Sequence, residues 1–144
     1  MTYLDQLDVF YGQTTSASAH IYARLPSVEG KSGLTLAGDV HGPECRYSTT
    51  LPATVPLCDM GPGKSLLARA IVPDPCFWSP RLPALYRVTV QLIKGGEVVE
   101  TAERRLGLRL LGARGQSLFL EGQRWVLRGV LRDEVPPAEL SSWR

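Results

Sequence analysis

Side chains of the types that bind metals or act as nucleophiles are few and widely spaced. His41, Cys45, Cys58 and Cys76 are of types that zinc binds, but their spacing fits no standard site, in which paired ligands lie two to four residues apart. The two histidines, His20 and His41, are not coupled by spacing to a serine or cysteine, which needs an adjacent base to become a nucleophile. We therefore expect no metal, no cofactor and no catalytic residue. We interpret the cysteines as small buried side chains and His41 as a surface residue.

Residues 61–65 (GPGKS) resemble part of a phosphate-binding loop. The first glycine of such a loop would fall at position 58, which is Cys58, and no helical pattern follows the lysine and serine. The segment therefore predicts a turn between two strands.

Short strands dominate the pattern along the chain. Eleven prolines and fourteen glycines interrupt it too often for long helices. Apolar residues alternate with other residues over 19–25, 34–40, 66–72 and, most regularly, 86–92. Period-two alternation is typical of strands with one buried face. Seven or more such strands predict an all-β sandwich or small barrel.

Prolines and glycines also mark edges and turns. Residues 51–57 alternate, but Pro52 and Pro56 cannot donate to a sheet ladder, which predicts an edge strand or an extended loop. Residues 94–97 (KGGE) predict a hairpin turn between two strands. A second hairpin is expected around Glu121-Gly122, and a helix is expected to start near residues 136–140.

Charge and composition exclude several classes of protein. Sixteen basic and fourteen acidic residues give a formal charge of +2, which is not the concentrated basic surface that nucleic acid or an anionic membrane requires. No stretch approaches the roughly 20 apolar residues that span a bilayer. The acidic N-terminus does not resemble a signal peptide, and three irregularly spaced cysteines form no disulfide framework. We expect no nucleic-acid or membrane partner and favour a cytoplasmic location.

Three motifs follow one another in the second half of the chain. They are residues 78–86 (WSPRLPALY), residues 105–109 (RLGLR) and residues 119–130 (FLEGQRWVLRGV). In this order they resemble the end of the immunoglobulin-like domain in family 2 glycoside hydrolases, which include β-galactosidases and β-glucuronidases. The last motif is similar to the segment that leads into the catalytic (β/α)8 barrel of that family.

The resemblance implies an all-β fold: an immunoglobulin-like antiparallel β-sandwich of about seven strands plus a C-terminal hairpin. It implies an N-terminal extension at 1–15, the sandwich at 16–112, and a hairpin with the segment leading into the barrel at 113–144. We expect structural roles for the motif residues, because large rings, prolines and glycines serve packing and close backbone approach. These residues are Trp78, Pro80, Pro83, Leu85, Tyr86, Arg105, Gly107, Arg109, Gly122, Arg128 and Gly129.

The chain departs from the family pattern at two points. Glu121-Gly122 stands where the family has asparagine and glycine, and Arg132-Asp133-Glu134 stands where it often has arginine, histidine and glutamate. The family's two catalytic glutamates lie on the barrel, which needs roughly 250 residues. The adjacent Asp133 and Glu134 would point to opposite faces of a strand, whereas a retaining site holds two carboxyl groups about 5 Å apart. No catalytic residue is carried over.

The resemblance predicts a non-catalytic accessory domain that packs against and positions a (β/α)8 catalytic domain in a longer parent chain. On this view Trp125, Val130 and Leu131 face that partner. One alternative is an independent carbohydrate-binding module with a platform of exposed rings, for which Tyr3, Phe10, Tyr11 and Tyr22 are candidates. Another is a protein-interaction sandwich that self-associates through the proline-bearing edge or the barrel-facing surface.

Overall fold

The computed structural model describes residues 2–26 and 33–129, together with the single residues 134, 136 and 138. The chain divides into two compact units, Met1–Leu110 and Leu111–Arg144. Val130, Leu131, Asp133 and most of the expected helix at 136–140 lie outside the described residues.

The first unit confirms the all-β fold class. Its seven antiparallel strands form one curled sheet in the order β1-β2-β5-β4-β3-β6-β7. Strand β4 joins the two halves of the sheet, because residues 53–57 pair with β3 whereas Cys58 and Asp59 pair with β5. The elements are a 3-10 helix η1 (Tyr3–Gln6) and the strands β1 (Asp8–Thr14), β2 (Ser18–Leu25), β3 (Leu34–Glu44), β4 (Ala53–Asp59), β5 (Leu66–Pro73), β6 (Leu85–Lys94) and β7 (Glu97–Leu106).

The core lies between the two halves of the curled sheet. Alternate residues of β2 and β5, among them Ile21 and Ala70, meet alternate residues of β3 and β6, among them Leu36 and Val88. All four side chains are at most 1% exposed. The predicted period-two alternation of β2 and β6 is thus confirmed, and burying one such aliphatic side chain contributes roughly 1.5–3 kcal/mol.

The segment at 51–57 was expected to form an edge strand or an extended loop. Its residues 53–57 instead belong to β4, which is internal in the strand order, and Pro52 precedes that strand. Pro56 lies opposite Asp39 of β3, and β5 joins β4 only from Cys58 onwards. The stretch that contains Pro56 therefore keeps one open side, where a residue without an N–H is tolerated.

Residues 8–14, which the sequence interpretation assigned to an N-terminal extension, form β1 and pair with β2. Apolar residues here occupy both faces of the strand. Val9 and Tyr11 pack against the core, whereas Phe10 stacks on Tyr22, with ring centroids 5.5 Å apart. A strand with two covered faces shows no apolar–polar alternation, so the periodicity did not indicate it.

Helix η1 lies against β7 at the end of the sheet. The Glu100 carboxylate accepts hydrogen bonds from the backbone N–H groups of Tyr3 and Leu4, at 2.9 and 3.3 Å. The Arg104 guanidinium donates to the Leu4 carbonyl at 3.4 Å. These bonds fix the chain before β1 to the opposite end of the sheet.

The second unit contains a three-stranded antiparallel sheet in the order β10-β9-β8. Its strands are β8 (Leu111–Arg114), β9 (Ser117–Leu120) and β10 (Gln123–Trp125). The expected hairpin at Glu121-Gly122 connects β9 to β10. Both turn residues have positive φ angles, 53° and 78°, as a two-residue type I′ turn requires.

Across the described residues, no helix is long and apolar enough to cross a membrane.

Candidate functional site

Most of the predicted motif residues lie in the first unit, and Trp78 is the centre of one group. Its backbone N–H donates to the Leu108 carbonyl at 2.6 Å. The Arg109 guanidinium carbon lies 4.6 Å from the centroid of the indole, within the range of a cation–π contact. A Cβ atom on Gly107 would lie 3.1 Å from Trp78 Cδ1. The close approach of the two segments therefore depends on the missing side chain at Gly107.

Tyr86 forms the buried base of the same region. Its side chain is only 1% exposed, and its phenol oxygen accepts a hydrogen bond from the Cys76 backbone N–H at 2.8 Å. Burial raises the pKa of Tyr86, and the Cys76 hydrogen bond opposes that rise in part. The phenol is therefore neutral at ordinary pH and connects β6 to the loop before Trp78.

The loop between Trp78 and Tyr86 is held by its own short-range hydrogen bonds. The Ser79 N–H donates to the Leu82 carbonyl at 2.9 Å, and the Leu82 N–H donates to Ser79 Oγ at 3.1 Å. Pro80 is exposed at the tip of this turn, whereas Ala84 is fully buried. The turn directs Pro83 and Leu85 toward a neighbouring cavity.

That cavity, which we name the arginine groove, is the second place where motif residues meet. Its volume is about 460 Å³, within the range of roughly 300–1,000 Å³ for ligand sites. Pro83, Leu85 and Arg105 come from the predicted motifs. The remaining lining residues are Glu44, Cys45, Arg46, Tyr47 and Arg87.

Glu44 is the centre of the polar contacts in the arginine groove. Its Oε1 lies 3.2 Å from Arg87 Nη2 and 3.6 Å from His41 Nε2. The other ring nitrogen of His41 lies 2.8 Å from Thr54 Oγ1. A register shift between His41 and Glu44 in the β3–β6 pairing brings Glu44 opposite Leu85. Bulges of this kind re-aim side chains.

Sequence reasoning missed Glu44, Arg46 and Arg87. The predicted hairpin at residues 94–97 could have indicated Arg87, because folding β6 back on β7 pairs Arg87 with Arg105. Gly42 and Pro43, which lie at the bulge that brings in Glu44, were the available signal, because glycine and proline inside a strand often mark a bulge.

The other motif residues do not join these groups. Gly122 forms the β9–β10 turn, and Arg128 and Gly129 follow β10 as exposed residues.

The candidate rings for a carbohydrate platform are only partly brought together. Phe10 and Tyr22 stack with 19° between their planes, and both are half-buried. Arg24 lies over the Phe10 ring at 5.4 Å and pairs with Asp8 at 2.7 Å. Tyr11 packs against the core and Tyr3 lies in η1. This arrangement resembles a packed cross-strand pair. It does not favour the hypothesis of a carbohydrate-binding module over that of an accessory domain.

The expectation of buried cysteines is wrong for all three. Cys45 and Cys76 are half-buried and Cys58 is exposed, because Leu57, the neighbour of Cys58, takes the inward position on β4. Among the residues that the structure describes, no three histidine, cysteine or acidic side chains form a group that could hold a metal ion.

The family is decided by a match over most of the first unit. The family model described as "Glycosyl hydrolases family 2" matches residues 6–109. The chain belongs to glycoside hydrolase family 2. The match begins just before β1 and ends at Arg109, so it includes both the Trp78 group and the arginine groove.

Two β-galactosidases and one β-glucuronidase structure are similar to this chain. A β-galactosidase from Psychromonas ingrahamii is 37% identical over 67 residues, which cover 46% of this chain and 6% of that protein. β-Galactosidase 2 from Enterobacter cloacae is 33% identical over 98 residues, covering 67% of this chain and 10% of that protein. The crystal structure of Parabacteroides merdae β-glucuronidase superposes with a TM-score of 0.58 at 20% identity. It shares the fold over 87% of this chain and 16% of its own. The chain thus spans a small part of each of these proteins.

Proposed function

We propose that this chain is a non-catalytic accessory β-sandwich domain that packs against and positions the catalytic (β/α)8 barrel of a family 2 glycoside hydrolase. In this role the motif residues are structural: Trp78, Tyr86, Gly107 and Arg109 hold the loop before β6 against the segment after β7. The domain contributes contact surface, and the barrel contributes the chemistry.

The observation that carries the proposal is a run of exposed apolar side chains after the sandwich. In the second unit, Leu111 is 56% exposed, Trp125 37%, Val126 62% and Leu127 64%. Apolar side chains clustered at a surface mark sites of protein interaction. Trp125, Val126 and Leu127 belong to the segment that resembles the approach to the family barrel.

The chemistry of the arginine groove supports the non-catalytic part of the proposal. Among its described lining residues, Glu44 is the single carboxylate, and it is engaged with Arg87 and His41. A retaining glycosidase needs two carboxyl groups roughly 5 Å apart. The groove is therefore suited to binding rather than to bond cleavage.

The test uses the Psychromonas ingrahamii β-galactosidase with the segment that matches this chain removed. We expect the purified chain to bind this truncated enzyme, as measured by calorimetry, and to release no nitrophenol from β-galactosides or β-glucuronides by itself. Leu127→Ser should weaken binding by about tenfold, because a buried leucine contributes at least ~1.4 kcal/mol. Val98→Ser is the matched control, since Val98 is 52% exposed on β7.

Two results would overturn the proposal. One is turnover of either substrate by the chain alone. The other is failure of the chain to bind under conditions in which the enzyme's own excised segment binds. Equal weakening by Leu127→Ser and Val98→Ser would refute the assignment of the docking surface to the second unit.

A further inference from the structure

The arginine groove concentrates positive charge in a way that the fold does not require. Arg87 on β6 and Arg105 on β7 are direct cross-strand partners, and like charges in that position destabilise a sheet. Arg46 comes from the turn after β3 and lines the same cavity. Three guanidinium groups on three chain segments thus share one groove.

Only part of this charge is neutralised by side chains that the structure describes. Glu44 pairs with Arg87, but no described acidic side chain lies within ion-pair distance of Arg46 or Arg105. Both of these arginines are exposed. The groove therefore carries two positive charges in excess, as much as the formal charge of the whole chain.

The groove also presents apolar contact area. Tyr47 is 76% exposed at its rim, and Pro83 and Leu85 line its wall. Tyrosine and arginine are enriched in the cores of protein interfaces and among the residues that contribute most to binding. Guanidinium groups form paired, planar hydrogen bonds with carboxylates.

We propose that the arginine groove binds an acidic polypeptide segment, with Arg46 and Arg105 holding its carboxylates and Tyr47 packing on its apolar side chains. This goes beyond the accessory role and does not depend on it, because the surface proposed to contact the barrel lies in the second unit. A polypeptide fits better than a small acid, since it would cover the exposed tyrosine ring while it neutralises the arginines. Glu44 positions Arg87 beside them.

The experiment titrates the full chain with a capped hexapeptide of three glutamates, two leucines and a glycine, labelled for fluorescence polarisation. Its twin carries glutamines in place of the glutamates. We expect the glutamate peptide to bind and its twin to bind about fivefold to thirtyfold more weakly, because two exposed ion pairs contribute up to ~1 kcal/mol each. Raising the salt concentration to about 0.5 M should weaken the binding, because exposed charges are screened.

Two double variants distinguish binding in the arginine groove from attraction to the net charge of the chain. Arg46→Gln combined with Arg105→Gln should reduce affinity by about fivefold or more. Arg81→Gln combined with Arg124→Gln removes the same charge from exposed positions outside the groove and should leave affinity nearly unchanged. Circular dichroism and thermal melting check that both pairs fold as the parent chain does.

Three outcomes would overturn the proposal. They are no binding of the glutamate peptide at about 1 mM, equal loss of affinity in the two double variants, and competition by citrate or inorganic phosphate as strong as that of unlabelled peptide at equal concentration. The second outcome would indicate general charge attraction, and the third would indicate a site for small anions.

Discussion

The contact between Gly107 and Trp78 predicts the effect of adding one methyl group. In Gly107→Ala the new Cβ would lie 3.1–3.2 Å from Trp78 Cδ1, Cβ and Cγ, several tenths of an ångström inside ordinary contact. Trp78 cannot easily move away, because its backbone N–H is bonded to the Leu108 carbonyl at 2.6 Å and the Arg109 guanidinium lies over its ring. Overpacking of this kind costs about 1–3 kcal/mol. At about 4 °C per kcal/mol for a domain of this size, the melting temperature should fall by roughly 4–12 °C.

Gly112→Ala is the matched control, since a Cβ at Gly112 meets no atom within 4 Å. Thermal melting followed by circular dichroism compares the two variants with the parent chain. If Gly107→Ala melts within about 2 °C of Gly112→Ala, the packing argument for the Trp78 group is refuted.

Three further predictions follow from the described contacts. Because burial raises the pKa of Tyr86, its stabilising contribution is fully present below about pH 10 and is lost as pH rises from there toward the raised folded-state pKa. The urea midpoint of Tyr86→Phe should therefore fall less between pH 8 and about pH 10.5 than that of Tyr47→Phe, which keeps the Tyr86 phenol. Equal falls in the two midpoints would contradict this. Glu100→Gln should weaken the hold on η1 by about 1 kcal/mol and speed amide exchange at residues 3–6, whereas Glu103→Gln, the control, should leave that exchange unchanged. Glu121→Asn should raise stability by about 0.5–1 kcal/mol, because asparagine tolerates the positive φ of 53° better, and a lower urea midpoint would count against the turn assignment.

Strands with one buried and one open face were predictable from the sequence. Residues 86–92 alternate because Tyr86, Val88 and Val90 all point into the core, and the two glycines after β6 fix the β6–β7 turn. β1 could not be found in this way, because its side chains pack on both faces. The open side of β4 explains how Pro56 is accommodated inside a sheet.

The candidate site was predictable in part. The motifs identified Trp78, Gly107 and Arg109, and the structure shows them in contact. They did not reveal the arginine groove, whose charge depends on long-range register. Glu44 reaches it because the β3–β6 pairing shifts between His41 and Glu44. Gly42 and Pro43 mark this bulge locally, but the strand register decides which side chains the bulge brings together.

Strand β7 stands at one end of the seven-stranded sheet and is ten residues long. An open strand of that length is a template on which a second chain can add, and such addition begins many aggregates. Charged side chains occupy half of β7, including Glu97, Glu100, Glu103 and Arg104, and η1 is bonded to its middle through Glu100. Val98 and Val99 remain as an exposed apolar stretch on which a second chain could pair. Loss of charge at Glu97 and Glu103, which do not bond η1 as Glu100 and Arg104 do, should therefore turn this domain toward fibril formation before it measurably weakens the fold.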